Sequence, residues 1–529
     1  MWPAIINRHF SLKSCILKLF PFKVKPIFYL LAISAIVRIV LASSFCLGND
    51  EAYYYLYALY PDLSHFDHPP MVGWIIQLFS LNLYFNDEVF IRFASIVAGT
   101  INTWLMYCIG RQLRDEITGW YAALLYTASV YGFVIVGVMI LPDTPQSVFW
   151  LATILVLLKI LADETTKQNR LKFLLASVLM GLGMLSKYTT VYLWVGMIIY
   201  IVVYKRQWLK TREFYLGHFI IALLFMPVII WNIQHDFVSF TFHNARVQPV
   251  SGGFNPDNFL TEIIGEFLYT NPVNFILIVL AAAAFFRNKF ILQKPGTRIL
   301  IWSALPVIAT FQLASIFRPT LPHWNGAGFM TLIPLAALWL RNQGNSLLPK
   351  AVKSSLAFVT LLILLSAAQI FTGFIPLESF YKTKGGMGEK DLSLEVFGWK
   401  QLHKEFNTLA GKYEKAGLMP PGAPIVSYRW FPAANYSYYA ARGTGRYVMA
   451  AGDTNAIHKF VWINQLHGGF KLNTDAWYIT SSRDFHHPGN LSKLYYEKIL
   501  PPDTITVVRA GKTAYCFYVF RFKNLQAKR

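Results

Sequence analysis

Asp50 and Glu51 stand side by side just after the first long apolar run, and Asp67-His68 immediately precede the pair Pro69-Pro70. Farther along, Asp143 follows Pro142. Lys187 and Tyr188 occupy a tight turn between two apolar runs, His243 and Arg246 lie in a second long polar stretch, and Arg318, His323 and Trp324 sit between two later runs. A positioned carboxylate can take the proton from a hydroxyl nucleophile. Lysine and arginine bind phosphate, the guanidinium in a two-point grip. Acids and phosphate-binding bases together fit transfer from a phosphate-linked donor. The phosphate already leaves well, so no protonating acid is needed, whereas the attacking hydroxyl needs a base and the growing phosphate charge needs cations. Direct displacement of this kind predicts inversion at a sugar carbon. Tyr53, Tyr54 and Trp324 could stack on sugar faces. Plainer uses exist for each group. Asp50-Glu51 suits a helix start, Asp143 an N-cap, His68 a proline turn, and the aromatics an interfacial belt.

The elements that would carry these residues are membrane spans. The chain has 529 residues, 55% hydrophobic and 14% charged, with a mean hydropathy of +0.40. Apolar runs long enough to cross a bilayer take up most of the first 375 residues. They predict about 11 transmembrane helices, near 27–46, 89–109, 119–138, 147–162, 171–186, 189–204, 216–235, 272–286, 299–317, 326–340 and 354–373. The tail 1–26 and alternate loops hold 21 Lys and Arg, and the opposite loops hold only Lys187, Arg246 and Arg318. The positive-inside rule then puts the basic tail in the cytoplasm and the C-terminal part outside. That distribution explains most of the +21 net charge and argues against a nucleic-acid partner. Three basic residues on the disfavoured side suggest an anion at the outer interface. Arg38 in the first span is expected to be buried and paired, and Lys159 to reach for the surface.

The first outer loop, 47–88, has no Lys or Arg and carries Asp50, Glu51, Asp62, Asp67, Asp87 and Glu88. Its tyrosine-rich part, Glu51–Tyr60, suits a helix lying in the membrane interface. A short surface helix is expected over 71–83. From residue 375 the composition changes and no run is long enough to span. An amphipathic helix is predicted over 394–416, and strands over Pro424–Trp430, Ala476–Ser481, Thr504–Arg509 and Ala514–Phe520, the last two joined as a hairpin at Gly511. Three parts result: a tail 1–26, a membrane domain 27–374, and a small α/β domain 375–529 on the periplasmic side. Cys15, Cys46, Cys108 and Cys516 show no metal spacing; a Cys46–Cys516 bridge or lone thiols would both suit them.

The strings NDEAYYYLYALY (49–60), FDHPPMVGW (66–74), IRFASIVAGT (91–100), LPDTP (141–145), GLGMLSKYTTVYL (181–193) and PHWNGAGF (322–329) resemble the bacterial members of glycosyltransferase family 39. That group is similar to dolichyl-phosphate-mannose protein mannosyltransferases and the lipid A aminoarabinose transferase. The resemblance covers roughly residues 27–340 and implies the GT-C fold. It implies Asp50 as catalytic base with Glu51 beside it. Asp67, His68, Asp143, Lys187, Tyr188, His243, Arg246, Arg318, His323 and Trp324 would contact substrate. It also implies that a divalent metal could bind between Asp67 and His243. The chain departs from the aminoarabinose transferase pattern at His68, where that pattern has lysine, and at Tyr53, where it has arginine. The expected partners are a polyprenyl-phosphate-linked sugar and a lipid, polysaccharide or protein acceptor, at a bacterial inner membrane. A transporter or lipid flippase is the alternative. It would call for repeated halves and polar groups at mid-bilayer, and the polar residues here gather at the outer rim instead.

Overall fold

Hydrocarbon cannot satisfy backbone N–H and C=O groups, so the long apolar runs must fold as helices. The computed structural model describes residues 25–161, 166–247, 255–289, 294–377, 386–491 and 494–526. All but the last two residues of the expected basic tail 1–26, and Cys15 with them, lie outside the described residues. The helices of the first part are α1 (Pro26–Ser44), α2 (Asn49–Leu59), α3 (Met71–Phe79), α4 (Phe93–Leu113), α5 (Glu116–Thr127), α6 (Asp143–Leu161), α7 (Lys167–Ser186) and α8 (Val191–Tyr204). They continue with α9 (Arg212–Gln234), α10 (Val238–Val247), α11 (Pro256–Thr270), α12 (Pro272–Phe286), α13 (Lys294–Ser315), α14 (Gly326–Gln343) and α15 (Lys350–Thr372).

Among the described residues, α1, α4, α6, α9, α13 and α15 are each long and apolar enough to cross a membrane. The pair α11–α12 bends by 103° and would add a seventh crossing if it is one span. Helices stand near all eleven expected positions, with two departures in form. The expected span 119–138 is broken, because α5 stops at Thr127 and Tyr131–Ile135 forms a separate π-helical turn. The expected span 272–286 is one arm of the bent pair. The best windows of α4 and α6 are 61% and 67% buried, against 22% for α1 and 17% for α15. The first two therefore make the middle of the bundle, and the apolar faces of α1 and α15 are left for lipid. Lys159 is exposed, as expected. Arg38 is fully buried but has no carboxylate partner; it meets Ser34 Oγ at 3.3 Å and lies 4.6 Å from the centre of the Phe133 ring. It is buried as expected, but among the described residues its pairing goes no further than Ser34: Nε and Nη2 have no hydrogen-bond partner, and Gly99, Gly137 and the Phe133 ring close around the guanidinium.

Beyond the bundle, a five-stranded sheet has the order β2-β1-β3-β5-β4, with β1 (Ile425–Ser427), β2 (Val448–Ala450), β3 (Ala476–Ser481), β4 (Tyr495–Arg509) and β5 (Lys512–Gln526). β1 runs parallel to β2 and β3, while β5 is antiparallel to β3 and β4. The predicted hairpin is present but twice as long as expected. Its two-residue turn takes positive φ at Ala510 (48°) and Gly511 (78°), the geometry that matches strand twist. β2 was not expected from the sequence; three residues are too few to show an alternation. The predicted 394–416 helix starts later, as α16 (Trp399–Lys415), after a 3-10 turn at Leu392–Val396. It buries Trp399, Leu402, Phe406 and Ala410, one stripe of the helix, against the sheet. Two further helices, α17 (Trp430–Tyr436) and α18 (Phe460–Leu466), complete this layer. Cys46 and Cys516 are free thiols.

The tyrosine-rich helix α2 does not lie open in the interface. Glu51 through Ala58 are all buried, so both faces are covered. Tyr55 packs edge-on to Tyr438 at 5.0 Å and Tyr53 lies 5.1 Å from Trp430, which makes one apolar core out of the first loop and the C-terminal layer. On its other side α3 approaches closely at Gly73, where an added Cβ would come within 2.8 Å of the Tyr57 backbone. The Gly73→Ala substitution is expected to push α3 off α2 and lower stability by about 1–3 kcal/mol, the usual cost of overpacking. Thermal unfolding of the purified protein in detergent checks this, and an unchanged midpoint would refute the close approach.

Candidate active site

The site begins at the end of α1, where the chain leaves the bundle and turns into α2. The Glu51 carboxylate, in the first turn of α2, accepts from Arg92 Nε at 2.7 Å and Nη2 at 2.5 Å, from Gly48 N at 2.9 Å and from Ile140 N at 3.1 Å. Arg92 also donates to the carbonyls of Ala42, Phe45 and Cys46, each at 2.8 Å. This fully buried pair closes the carbonyl end of α1 and the amide end of α2 at once, using a basic residue that lies in the string IRFASIVAGT but carries no role expected from the sequence. Glu51 therefore has no free oxygen for catalysis. The expectation of a catalytic role for it is corrected to a positioning one.

Asp50, one residue earlier, points the other way. Its side chain is open to the cleft, and among the described residues it has no hydrogen bond or ion pair. The surrounding protein displaces water, and Asp67, Glu395 and Glu51 add negative charge. Together they push the carboxyl up to about 6, against the opposing pull of Arg246. Asp67 is buried, and its Oδ1 accepts from the Tyr57 hydroxyl at 2.5 Å and the Tyr53 hydroxyl at 3.2 Å. Burial alone would raise its pKa, but the nearby His68 and His458 and the Tyr57 hydroxyl hold it below the ordinary value. His68 is buried and pushed down to about 3 by desolvation, and is therefore neutral. His243 Nε2 meets the backbone carbonyl of Asp67 at 2.6 Å.

Asp143, in the first turn of α6, receives Lys187 Nζ at 2.9 and 2.7 Å on its two oxygens, and the Tyr131 hydroxyl at 2.8 Å. Lys187 comes from the turn after α7, and Tyr131 from the π-helical turn that interrupts the expected third span. Lys187 is thus neutralised by a buried acid instead of being free for an anion. Arg246, in the last turn of α10, is different: its guanidinium lies 5.2 Å from the Phe242 ring centre and 5.1 Å from that of Trp324, with no hydrogen-bond or carboxylate partner among the described residues. Arg318 Nη1 donates to Ala245 O at 2.6 Å and so braces α10 from behind. It does not line the cavity beside Arg246. That cavity, of about 250 Å³, is lined by His68, Lys187, Tyr188, His243, Arg246 and Trp324, with an apolar wall of Val191, Tyr192 and Phe311. His323 lies close enough to feel Asp143, Lys187 and Arg246, and desolvation pushes it down to about 4.

Six of the twelve expected site residues therefore share one cavity. Asp67 and Asp143 touch its lining through His243 and Lys187, Asp50 and His323 are near enough for the charge of Arg246 to act on them, and Glu51 and Arg318 lie outside it. The suggested metal pair finds no support: His243 Nε2 is held on the Asp67 carbonyl, two tyrosines bond the Asp67 Oδ1, and no group of three His, Cys, Asp or Glu able to hold a metal occurs among the described residues. Besides Arg92 and Tyr131, sequence reading missed Lys459, which comes from the C-terminal layer. Its buried Nζ reaches Tyr60 O at 2.7 Å and His65 Nδ1 at 2.6 Å, and desolvation pushes it down to about 7. It lies more than 390 residues from its partners in the chain, and no local pattern connects them.

A bundle of this form with a charged cleft under a small C-terminal sheet layer is the GT-C fold. Two solved structures share it: ArnT from Cupriavidus metallidurans in the apo state (TM-score 0.61, 13% identity) and the same protein bound to undecaprenyl phosphate (TM-score 0.59, 14% identity), each covering 93% of this chain and 97% of the other. The family model described as dolichyl-phosphate-mannose-protein mannosyltransferase matches residues 67–231. A curated relative, the lipid A galacturonosyltransferase RgtD of Rhizobium johnstonii, is 22% identical over 299 residues, which are 55% of this chain and 60% of that protein. The resemblance to glycosyltransferase family 39 within the GT-C superfamily is borne out by these comparisons, and the chain is a multi-pass membrane protein.

Arg92→Met is expected to leave Glu51 charged and unpaired inside the protein and to cost about 3–5 kcal/mol. The double variant Glu51→Gln/Arg92→Met should recover part of that loss. Denaturant titration of the detergent-solubilised protein measures both, and equal stability of Arg92→Met and wild type would show that the pair is not the anchor.

Proposed function

We propose that this protein is an inverting glycosyltransferase that moves a sugar from a polyprenyl phosphate to an acceptor hydroxyl at the periplasmic face of a bacterial inner membrane. The observation that carries the reading is a pattern of pairing. Glu51 is matched by Arg92, Asp143 by Lys187, and Asp67 by two tyrosines. Among the described residues Asp50 and Arg246 are left without hydrogen-bond or ion-pair partners, close enough for their charges to interact. Unpaired charges of opposite sign left close together beside a cavity mark a place for a ligand. A phosphate beside Arg246 would take up the free guanidinium donors, and an isoprenyl chain could run along the Val191, Tyr192 and Phe311 wall. The undecaprenyl phosphate in one of the ArnT structures supports a lipid carrier of this chemistry.

In the transfer step the acceptor oxygen forms a bond to the sugar's anomeric carbon as that carbon's bond to the phosphate oxygen breaks. Asp50 takes the acceptor's proton, and the lipid phosphate leaves with the bonding electron pair. Arg246, with an N–H of the neutral His68, stabilises the charge that builds on the phosphate, while His243 spends its own N–H on the Asp67 carbonyl. Lys187, locked to Asp143, shapes the cavity floor and contributes little net charge. The raised pKa of Asp50 brings a carboxylate nearer to the working pH, which strengthens it as a base. The basic loops opposite the cleft favour the periplasmic orientation. The tail 1–26, the membrane part 27–374 and the C-terminal part 375–529 serve as anchor, catalytic bundle and covering domain in this reading.

Asp50→Asn is expected to lower kcat by about 10²–10⁴-fold, with undecaprenyl phosphate binding retained. Because Asp50 must be ionised to act, wild-type kcat/KM should rise with pH and level off above about 6. Radiolabelled transfer from a panel of polyprenyl-phosphate sugars by protein in nanodiscs measures both, and NMR of the product gives the anomeric outcome. Normal transfer by Asp50→Asn would remove Asp50 from this role, and a product of retained configuration would exclude single displacement.

A further inference from the structure

A second cavity, of about 500 Å³, lies in the C-terminal layer and is lined among others by Glu395, Trp399, Arg429, Phe431, Arg483 and Phe485. Its volume falls within the range of small-molecule sites. One wall is the 3-10 turn Leu392–Val396, which is tied to the start of the first loop by the bond from Cys46 N to Val396 O at 3.1 Å. The cavity thus abuts the segment that carries Asp50. Glu395 lines it and is also among the charges that act on Asp50. Asp50 therefore feels a charge from each hollow, Arg246 in the lining of the first and Glu395 in the lining of the second.

We propose that this second cavity is the acceptor subsite and that it takes a saccharide; the proposal rests on the transferase reading above. Direct displacement needs the acceptor hydroxyl on the side of the anomeric carbon opposite the leaving phosphate, with the base beside that hydroxyl. The chemistry of the walls suits a sugar and not a free anion. Arg429 is closed by an ion pair with Asp484 and donates to Phe431 O at 2.8 Å. Arg483 donates to the carbonyls of Gly388 at 3.0 Å and Asp391 at 3.2 Å. Glu389, Glu395 and Asp484 then outnumber the two arginines around the cavity, so it carries no positive excess for a phosphate. What remains is a set of fixed donors and acceptors beside the aromatic faces of Phe431 and Phe485. That combination pairs with hydroxyl edges and C–H faces of a pyranose ring.

Saturation-transfer NMR on the full-length protein in nanodiscs tests this with chitobiose as the saccharide probe and inorganic phosphate as competitor. Wild type and Asp50→Asn are expected to transfer saturation to the chitobiose ring protons, undisturbed by phosphate. Phe485→Ala and Arg483→Met should weaken the chitobiose affinity about tenfold, while undecaprenyl phosphate still binds to both and so reports an intact fold. Should Arg483→Met fail to fold, Phe485→Ala, which removes an exposed side chain, carries the test alone. The proposal is overturned by a chitobiose signal that persists unchanged in the variants, by its displacement by phosphate, or by its absence in wild type. The readout needs no turnover. Normal transfer by Asp50→Asn would therefore sink the catalytic reading separately from the sugar cavity.

Discussion

The buried ion pair between Glu51 and Arg92 is the constraint on which the rest of the site depends. A carboxylate and a guanidinium with almost no exposure would be costly alone, but here every strong donor and acceptor is used. The pair joins the end of α1, the start of α2, the entry to α4 and the backbone at Ile140. That fixes the first loop against the bundle at the point where it leaves the membrane. With Glu51 turned inward and held, helical geometry obliges its neighbour Asp50 to face another direction, into the cleft.

The same economy of charge runs through the cleft. Glu51, Asp143 and Lys187 each have an oppositely charged partner within hydrogen-bonding distance, and among the described residues Asp50 and Arg246 have none. Lys187 shows the value of examining partners. Its position on the disfavoured side of the membrane marks it as unusual, yet its charge is consumed by Asp143. Its contribution is to hold α6 and the turn after α7 together. Arg246 is kept extended by two aromatic rings instead of an acid, so its donors stay available.

The C-terminal layer takes part in this construction and is not merely attached to it. Its aromatic side chains share a core with α2, and Lys459 reaches through to the carbonyl end of that helix at Tyr60 and to His65. Any ligand that altered the packing of this layer would therefore act directly on the loop that carries Asp50 and Asp67.

From the sequence alone one could read the helical membrane architecture, the location of the polar loops, the hairpin and the set of acids and bases. These follow from local facts: apolar run length, basic-residue asymmetry, strand alternation, and motif strings that place residues a few positions apart. The sequence could not say which of those charges would be spent on each other. Arg92 binds Glu51 across 41 positions and Lys187 binds Asp143 across 44, and pairing at such separations leaves no periodic trace. Nor could it show that the 119–138 run breaks to deliver the Tyr131 hydroxyl, or that the tyrosine helix is covered on both faces. Those outcomes were decided by packing, because desolvated charges and hydroxyls take whatever partner the tertiary fold brings within reach.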